Sequence, residues 1–256
     1  FPGRHGTVTA LADVSLTIQP GEILGVVGES GAGKSMTGLA VQGLLEPPGH
    51  VAGGEVWLNG RRIDTLSDRE MEKVRGREIG AIFQDPLTSL NPLFSVGKQL
   101  IETIRLHLPL SRAEARQRAI ALLTEVGIPG PEERVDHFPH QFSGGMRQRV
   151  EIGRALCGGT DVLMLDEPFS ALDYLTRLKM RGELCRLLED QPRTVILVTH
   201  DIEEATQLAD RVLVLSERPA SIVYELKIDV PRPRDVTASG VVDATKAVLK
   251  AMGYEP

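Results

Sequence analysis

Gly28-Glu29-Ser30-Gly31-Ala32-Gly33-Lys34-Ser35 has the spacing of a loop that wraps a polyphosphate. Its glycines let backbone N–H groups turn inward around a β-phosphate. Lys34 brings a cation to the β- and γ-oxygens, and Ser35 offers a hydroxyl to Mg²⁺. A short apolar run, Ile23–Val27, precedes the loop, and helical patterning follows it, as this reading requires. Val162-Leu163-Met164-Leu165 runs into Asp166-Glu167. Two carboxylates at a strand's C-terminal end stand where ligands gather in open α/β sheets. Asp166 suits the Mg²⁺ shell, and Glu167 suits orienting or deprotonating an attacking water.

Two further strand-end residues could join this chemistry. Gln84 carries a neutral amide able to reach Mg²⁺ and water, and His200 could contact a γ-phosphate. Taken alone, each is more often a structural strand-end residue. Phe142-Ser143-Gly144-Gly145-Met146-Arg147-Gln148 is a second glycine turn that opens a helix. A helix N-terminus is itself an anion site. One triphosphate does not need two such cradles, so the economical reading gives the second to a nucleotide held by another copy of the fold.

The elements that must position these residues are legible in the apolar pattern. Leu11, Val14, Leu16 and Ile18 alternate as in a half-buried strand. Ile23–Val27 reads as a buried parallel strand, followed by a helix from about Lys34 to Leu45. Glu55–Leu58, Asn59-Gly60 and Arg61–Ile63 read as a hairpin with a type I′ turn, part of an antiparallel sheet layered on the main one. Residues 79–83 predict another strand, and residues 92–130 are helical, with a Ser111/Glu114 capping box and a stop at Gly127. Then come a strand at Val162–Leu165, a helix over 174–190, a strand at Thr194–Val198, a helix at Glu203–Leu208 and a strand at Val212–Leu215. Such alternation implies a mainly parallel sheet with right-handed crossovers. Residues 229–239, rich in proline and charge, read as a connection to a terminal helix over 241–252.

Composition narrows the function classes. A chain of 256 residues with net charge −6 lacks the basic excess that phosphate-backbone binding wants, which argues against nucleic acid as a partner. Cys157 and Cys185 have no metal-ligand spacing and read as buried or incidental thiols. No apolar run approaches the ~20 residues of a membrane span, and no secretory leader is visible. The chain opens on Phe1, which suggests that an N-terminal strand was trimmed.

The ordered set resembles the ATP-binding subunit of ABC transporters, over residues 1–225. Gly28–Ser35 looks like the Walker A loop, Gln84 the Q-loop and Phe142–Gln148 the signature motif. Val162–Asp166 looks like Walker B, Glu167 its catalytic glutamate, Ser170–Asp173 the D-loop and His200 the switch histidine. The resemblance implies a P-loop NTPase with a mainly parallel core sheet, an antiparallel β subdomain and an inserted helical subdomain at about 90–155. The ATPase domain then spans 1–228, with 229–256 as connection and helix. It also implies a head-to-tail dimer holding two ATP molecules, each between the Walker A loop of one subunit and the signature motif of the other. Gly28 through Met36 would bind one nucleotide; Ser143, Gly144, Gly145, Met146 and Asp173 would face the partner's. Met146 stands where the family usually has Gln, but the phosphate contacts there come chiefly from the serine and the glycine backbone; Met36 stands where Thr is common, and its backbone N–H can still serve. The adenine-stacking aromatic expected upstream falls at His5, with Phe1 the nearest aromatic.

The resemblance further implies transmembrane permease partners engaged through coupling helices, a solute-binding protein indirectly, and a peripheral place on the cytoplasmic face of the inner membrane. The second ATPase subunit would be a copy of this chain or a paralogue. Residues 28–37, 83–92 and 139–145 resemble peptide and nickel importers. Residues 166–173, 198–205 and 230–235 look more like nitrate, sulfonate and taurine importers. The segment after Gln84 borders the family's permease groove, so the peptide or nickel type is expected. A soluble ABC ATPase acting on ribosomes or DNA is disfavoured, because only about 60 residues separate Gln84 from the signature motif and no long coiled-coil insertion is present.

Overall fold

Apolar runs ended by glycine or a carboxylate form the main strands, and capped stretches form the helices between them. The computed structural model describes residues 2–3, 6–29, 31–83 and 89–254. The chain divides into two compact units, residues 1–75 with 194–256, and residues 76–193.

The first unit begins with β1 (Pro2–Gly3) and β2 (Gly6–Thr7), a two-residue antiparallel pair. Next come β3 (Ile23–Val27), α1 (Lys34–Val41), the hairpin β4 (Trp57–Leu58) and β5 (Arg61–Arg62), and α2 (Asp68–Val74). The second unit contains β6 (Ile79–Ile82), α3 (Val96–His107), α4 (Arg112–Glu125), α5 (Pro131–Arg134), α6 (Gly144–Ala155), β7 (Val162–Asp166) and α7 (Tyr174–Asp190). The chain then returns to the first unit with β8 (Thr194–Val198), α8 (Ile202–Leu208), β9 (Arg211–Leu215), β10 (Ile222–Lys227) and α9 (Ser239–Ala251).

In the first unit β3 lies between β8 and β9 and is parallel to both; β10 closes the edge antiparallel to β9. Every residue of β3 is buried, which is why its sequence is uninterruptedly apolar. In the second unit β6 and β7 pair in parallel, from Ile79 opposite Val162 to Ile82 opposite Leu165. The helices α3 to α6 lie in the chain between these two strands. Their packing is seeded by α4, whose Ala115, Ala119, Leu122 and Leu123 are buried. The Ser111/Glu114 capping box is formed, with the Ser111 N–H donating to Glu114 Oε2 at 2.8 Å. The architecture is mixed α/β with a mainly parallel sheet and small antiparallel pairs, as expected.

Several elements differ from the sequence reading. Residues 11–18 form no strand; Leu11 makes only an isolated bridge to Ala220. Their alternation is real as burial, since even-numbered positions 14, 16 and 18 are half-buried and 13, 15 and 17 exposed. One-sided burial sets that pattern without a ladder partner. Helix α1 ends at Val41, not Leu45, because Gly43 turns into the left-handed region at φ 61°. Arg75 then caps the released carbonyls, donating to Gln42 O and Gly43 O at 2.9 Å each. The type I′ turn is present, with Asn59 at φ 49° and Gly60 at φ 76°. Strand β6 stops at Ile82, one residue short of expectation, and α9 starts two residues early. Helix α2 and strand β10 were not anticipated.

Candidate functional site

The phosphate loop follows directly from β3, whose C-terminal residue Val27 is fully buried. Gly33 stands at φ 87° and is the N-cap of α1, so no side chain occupies the helix's first N–H groups. A Cβ at Gly33 would lie 2.8 Å from Leu11 Cδ2, and the left-handed backbone would be strained besides. Lys34 is 5% exposed, and its Nζ donates to the carbonyls of Gly28 and Glu29 at 2.8 Å each. The ammonium is thus folded over its own loop, as a polyphosphate cradle needs. Ser35 and Met36 follow in the first turn and are half-buried. Gly28, Glu29, Gly31 and Ala32 complete the described loop; Ser30 lies outside the described residues.

The parallel neighbour β8 ends at Val198, opposite Val26, so His200 emerges at the same sheet edge as the loop. His200 is exposed, while Thr199 before it is 1% exposed and donates its backbone N–H to Val26 O at 3.1 Å. At the other end of the chain, Tyr254 Oη donates to Glu29 Oε1 at 3.3 Å.

In the second unit β7 delivers Asp166, 8% exposed, and then Glu167. Glu167 adopts φ 48°, rare for a residue with a side chain. Its carbonyl accepts from Ser170 Oγ at 3.0 Å and Ser170 N–H at 3.2 Å, closing a tight turn. Asp173 ends that turn and caps α7, accepting from the Thr176 N–H at 3.1 Å. The hydrogen bonds from Thr176 hold its carboxyl below the usual range. Ser143 caps α6 in the same way, accepting from the Met146 N–H at 3.3 Å. The two caps meet: a Cβ on Gly145 would lie 3.1 Å from Thr176 Cγ2, and one on Gly144 3.7 Å from Leu172 Cδ2. A side chain at Gly145 would therefore be tight against α7, whereas one at Gly144 would make ordinary contact.

The structure brings Lys34, Ser35 and His200 to one edge in the first unit. It gathers Ser143, Gly144, Gly145, Met146 and Asp173 around two helix starts in the second, with Asp166 and Glu167 at the head of the intervening turn. Gln84 follows β6, the parallel neighbour of β7, and lies with Asp85–Thr88 outside the described residues; so do His5 and Phe1. Sequence reasoning passed over Thr199 and Glu204, which bracket His200. The sequence holds a threonine before the histidine and a glutamate one turn beyond it, but nothing in it marks their pairing. Burial pushes the Cys157 thiol up to about 12, in keeping with an inert structural cysteine. Among the described residues no helix is long and apolar enough to cross a membrane.

A family profile described as ABC transporter matches residues 11–170. The chain belongs to this family. It is 45% identical over 84% of its length to the Bacillus subtilis oligopeptide transport ATP-binding protein OppD, covering 60% of that protein. It is 43% identical to the Escherichia coli OppD and 40% identical to the Escherichia coli dipeptide transport ATP-binding protein DppD. In each case it spans 84% of this chain, against 64% and 66% of the relative. The chain therefore spans about three fifths to two thirds of the curated relatives it matches. Among solved structures it resembles the dimeric bacterial ABC transporter cassette MJ0796, with TM-score 0.76 and 31% identity, covering 92% of this chain and 95% of that one. A post-hydrolysis dimer of the same cassette, bound to ADP and Pi, aligns with TM-score 0.72 and 32% identity over 88% of this chain and 91% of that one.

Proposed function

We propose that this chain is the ATP-hydrolysing subunit of a peptide-type ABC importer, docked on a permease at the cytoplasmic face of the membrane. The observation that carries this reading is its 40–45% identity, over 84% of the chain, to oligopeptide and dipeptide transport ATP-binding proteins. The folded-over Lys34 and the left-handed Glu167 turn support the enzymatic part.

When bound, Mg²⁺ neutralises phosphate charge and draws density from the leaving oxygens. By the family's motifs, Ser35, Asp166 and Gln84 would be the residues to hold it. Lys34 and the N–H groups from Gly28 to Met36 bind the phosphates. Glu167 orients the attacking water and accepts its proton, and His200 donates to the γ-phosphate as charge moves onto the departing group. Ser143, Gly144, Gly145 and Met146 direct the N-terminus of α6 at the nucleotide of a second cassette, with Asp173 beside them. ATP binding closes the pair and moves the permease; differential affinity for the closed state is the only source of that drive.

The test is co-expression with a peptide-type and, separately, a nitrate/sulfonate-type permease. ATP-dependent peptide uptake into vesicles with the first is expected. Co-purification with the second alone would overturn the peptide assignment and favour the alternative suggested by residues 230–235.

A further inference from the structure

His200 can act only if its exposed side chain leaves the sheet edge in a fixed direction, and both of its chain neighbours are pinned through one hydroxyl. Thr199 Oγ1 accepts the Asp201 N–H at 3.0 Å and donates to Glu204 Oε2 at 2.8 Å. That single buried group therefore spans the residue before His200, the residue after it, and the first turn of α8. Glu204 is 2% exposed, and its own N–H donates to Asp201 Oδ1 at 3.1 Å, so the N-cap and the carboxylate lock each other. The Thr199 N–H holds Val26 O at 3.1 Å, which ties the turn to the strand that ends in the phosphate loop. A buried hydroxyl whose one O–H donor is committed and which also accepts a hydrogen bond is held in direction.

We infer that Thr199, clamped by Glu204, is a positioning residue that sets the direction of His200 toward the γ-phosphate. The inference rests on the proposed role of His200. Thr199 itself touches no phosphate: its hydroxyl is consumed within the turn, and its action passes through the histidine.

Thr199→Val keeps the branched shape and the backbone bond to Val26 but removes both hydroxyl bonds. In the full chain with Mg-ATP, kcat is expected to fall about tenfold or more, because small misplacements of a catalytic group are costly. The affinity for nucleotide, set by the loop after β3, should stay within about twofold. Thr199→Ser restores the hydroxyl and should recover most of the parent rate. The deciding measurement is a double-mutant cycle with His200→Ala. If Thr199 acts through His200, adding Thr199→Val to His200→Ala lowers kcat no further. An equal loss in both backgrounds, or an unchanged kcat in Thr199→Val, overturns the inference. If His200→Ala alone runs at the parent rate, the reading of His200 itself has failed, and that result is separate from the other two.

Discussion

A glutamate held at φ 48° carries a conformational cost of about 1–3 kcal/mol that persists only where its surroundings impose it. Here the imposing contacts are the two bonds from Ser170 to the Glu167 carbonyl, none of which involves the carboxylate. Glu167→Gln keeps the backbone conformation and side-chain volume while removing the basic site. We expect the variant to unfold at the parent temperature, bind ATP, and hydrolyse it about a hundredfold more slowly or worse, the range typical of a lost general base. Thermal melting and steady-state phosphate release check this together. Parent-rate hydrolysis in Glu167→Gln would remove this residue from the mechanism. Lys34 is the opposite case: its ammonium is bound into the loop carbonyls, so its removal changes loop and charge at once and tests neither alone.

At the scale of elements, α8 carries His200's turn at one end and is held at the other by Arg234. That guanidinium, with its side chain 1% exposed, donates to Thr206 O at 3.1 Å, Ile228 O at 3.3 Å and Val230 O at 2.6 Å, as well as to Ala209 O. It lies 4.0 Å from Asp210, whose other oxygen accepts the Ile23 N–H at 2.8 Å. The last carbonyls of a helix need partners, and here a charged donor from the C-terminal connection supplies them. Arg234→Ala should cost about 3 kcal/mol, since several buried acceptors lose a charged donor at once. That corresponds to a fall of roughly 6–12 °C in the unfolding midpoint, read by calorimetry. A change within a degree would show that water replaces the arginine without penalty. This clamp was invisible in the sequence, where residues 229–239 read only as a polar connection. What was legible were elements whose pattern reflects burial on both sides: β3, β7 and β8 are short apolar runs ending at chemistry, and β9 is a further apolar run. Residues 11–18 misled because alternation records which side chains face inward and says nothing about backbone partners. Helix α2 was missed because it buries only Met71 and Val74, its sole signal being the Ser67/Glu70 capping box. At the site, glycine and lysine spacing was readable because the chemistry is local. Thr199 with Glu204 was not, because that pairing exists only once a strand turns into a helix.

At the scale of the whole molecule, if both glycine turns bind phosphate, the chain has more such apparatus than one nucleotide uses. The α1 loop has its lysine, and α6 opens on Ser143-Gly144-Gly145 with no acidic residue in its first turn. A helix N-terminus of this kind, capped by Ser143, favours an anion by about 0.3–1 kcal/mol at an exposed position. That is too little to bind ATP by itself, but it would add to a site already held by another subunit. The consequence is an association that depends on nucleotide. For ATP to convert a pair that is 1% closed into one that is 99% closed, it must prefer the closed state about 10⁴-fold, roughly 5.5 kcal/mol. Two nucleotides, each contacting both partners, can share that requirement. With hydrolysis blocked by Glu167→Gln, millimolar ATP should therefore convert the chain from monomer to dimer, as measured by analytical ultracentrifugation. Adding Ser143→Arg should abolish the conversion by filling the α6 cradle with a side chain, while leaving ATP binding by the monomer unchanged. Dimers formed by this chain alone identify a symmetric pair; dimers formed only with a co-expressed paralogous cassette identify an asymmetric one. If ATP produces neither, or if Ser143→Arg dimerises as well as its parent, the second cradle does not serve a partner's nucleotide.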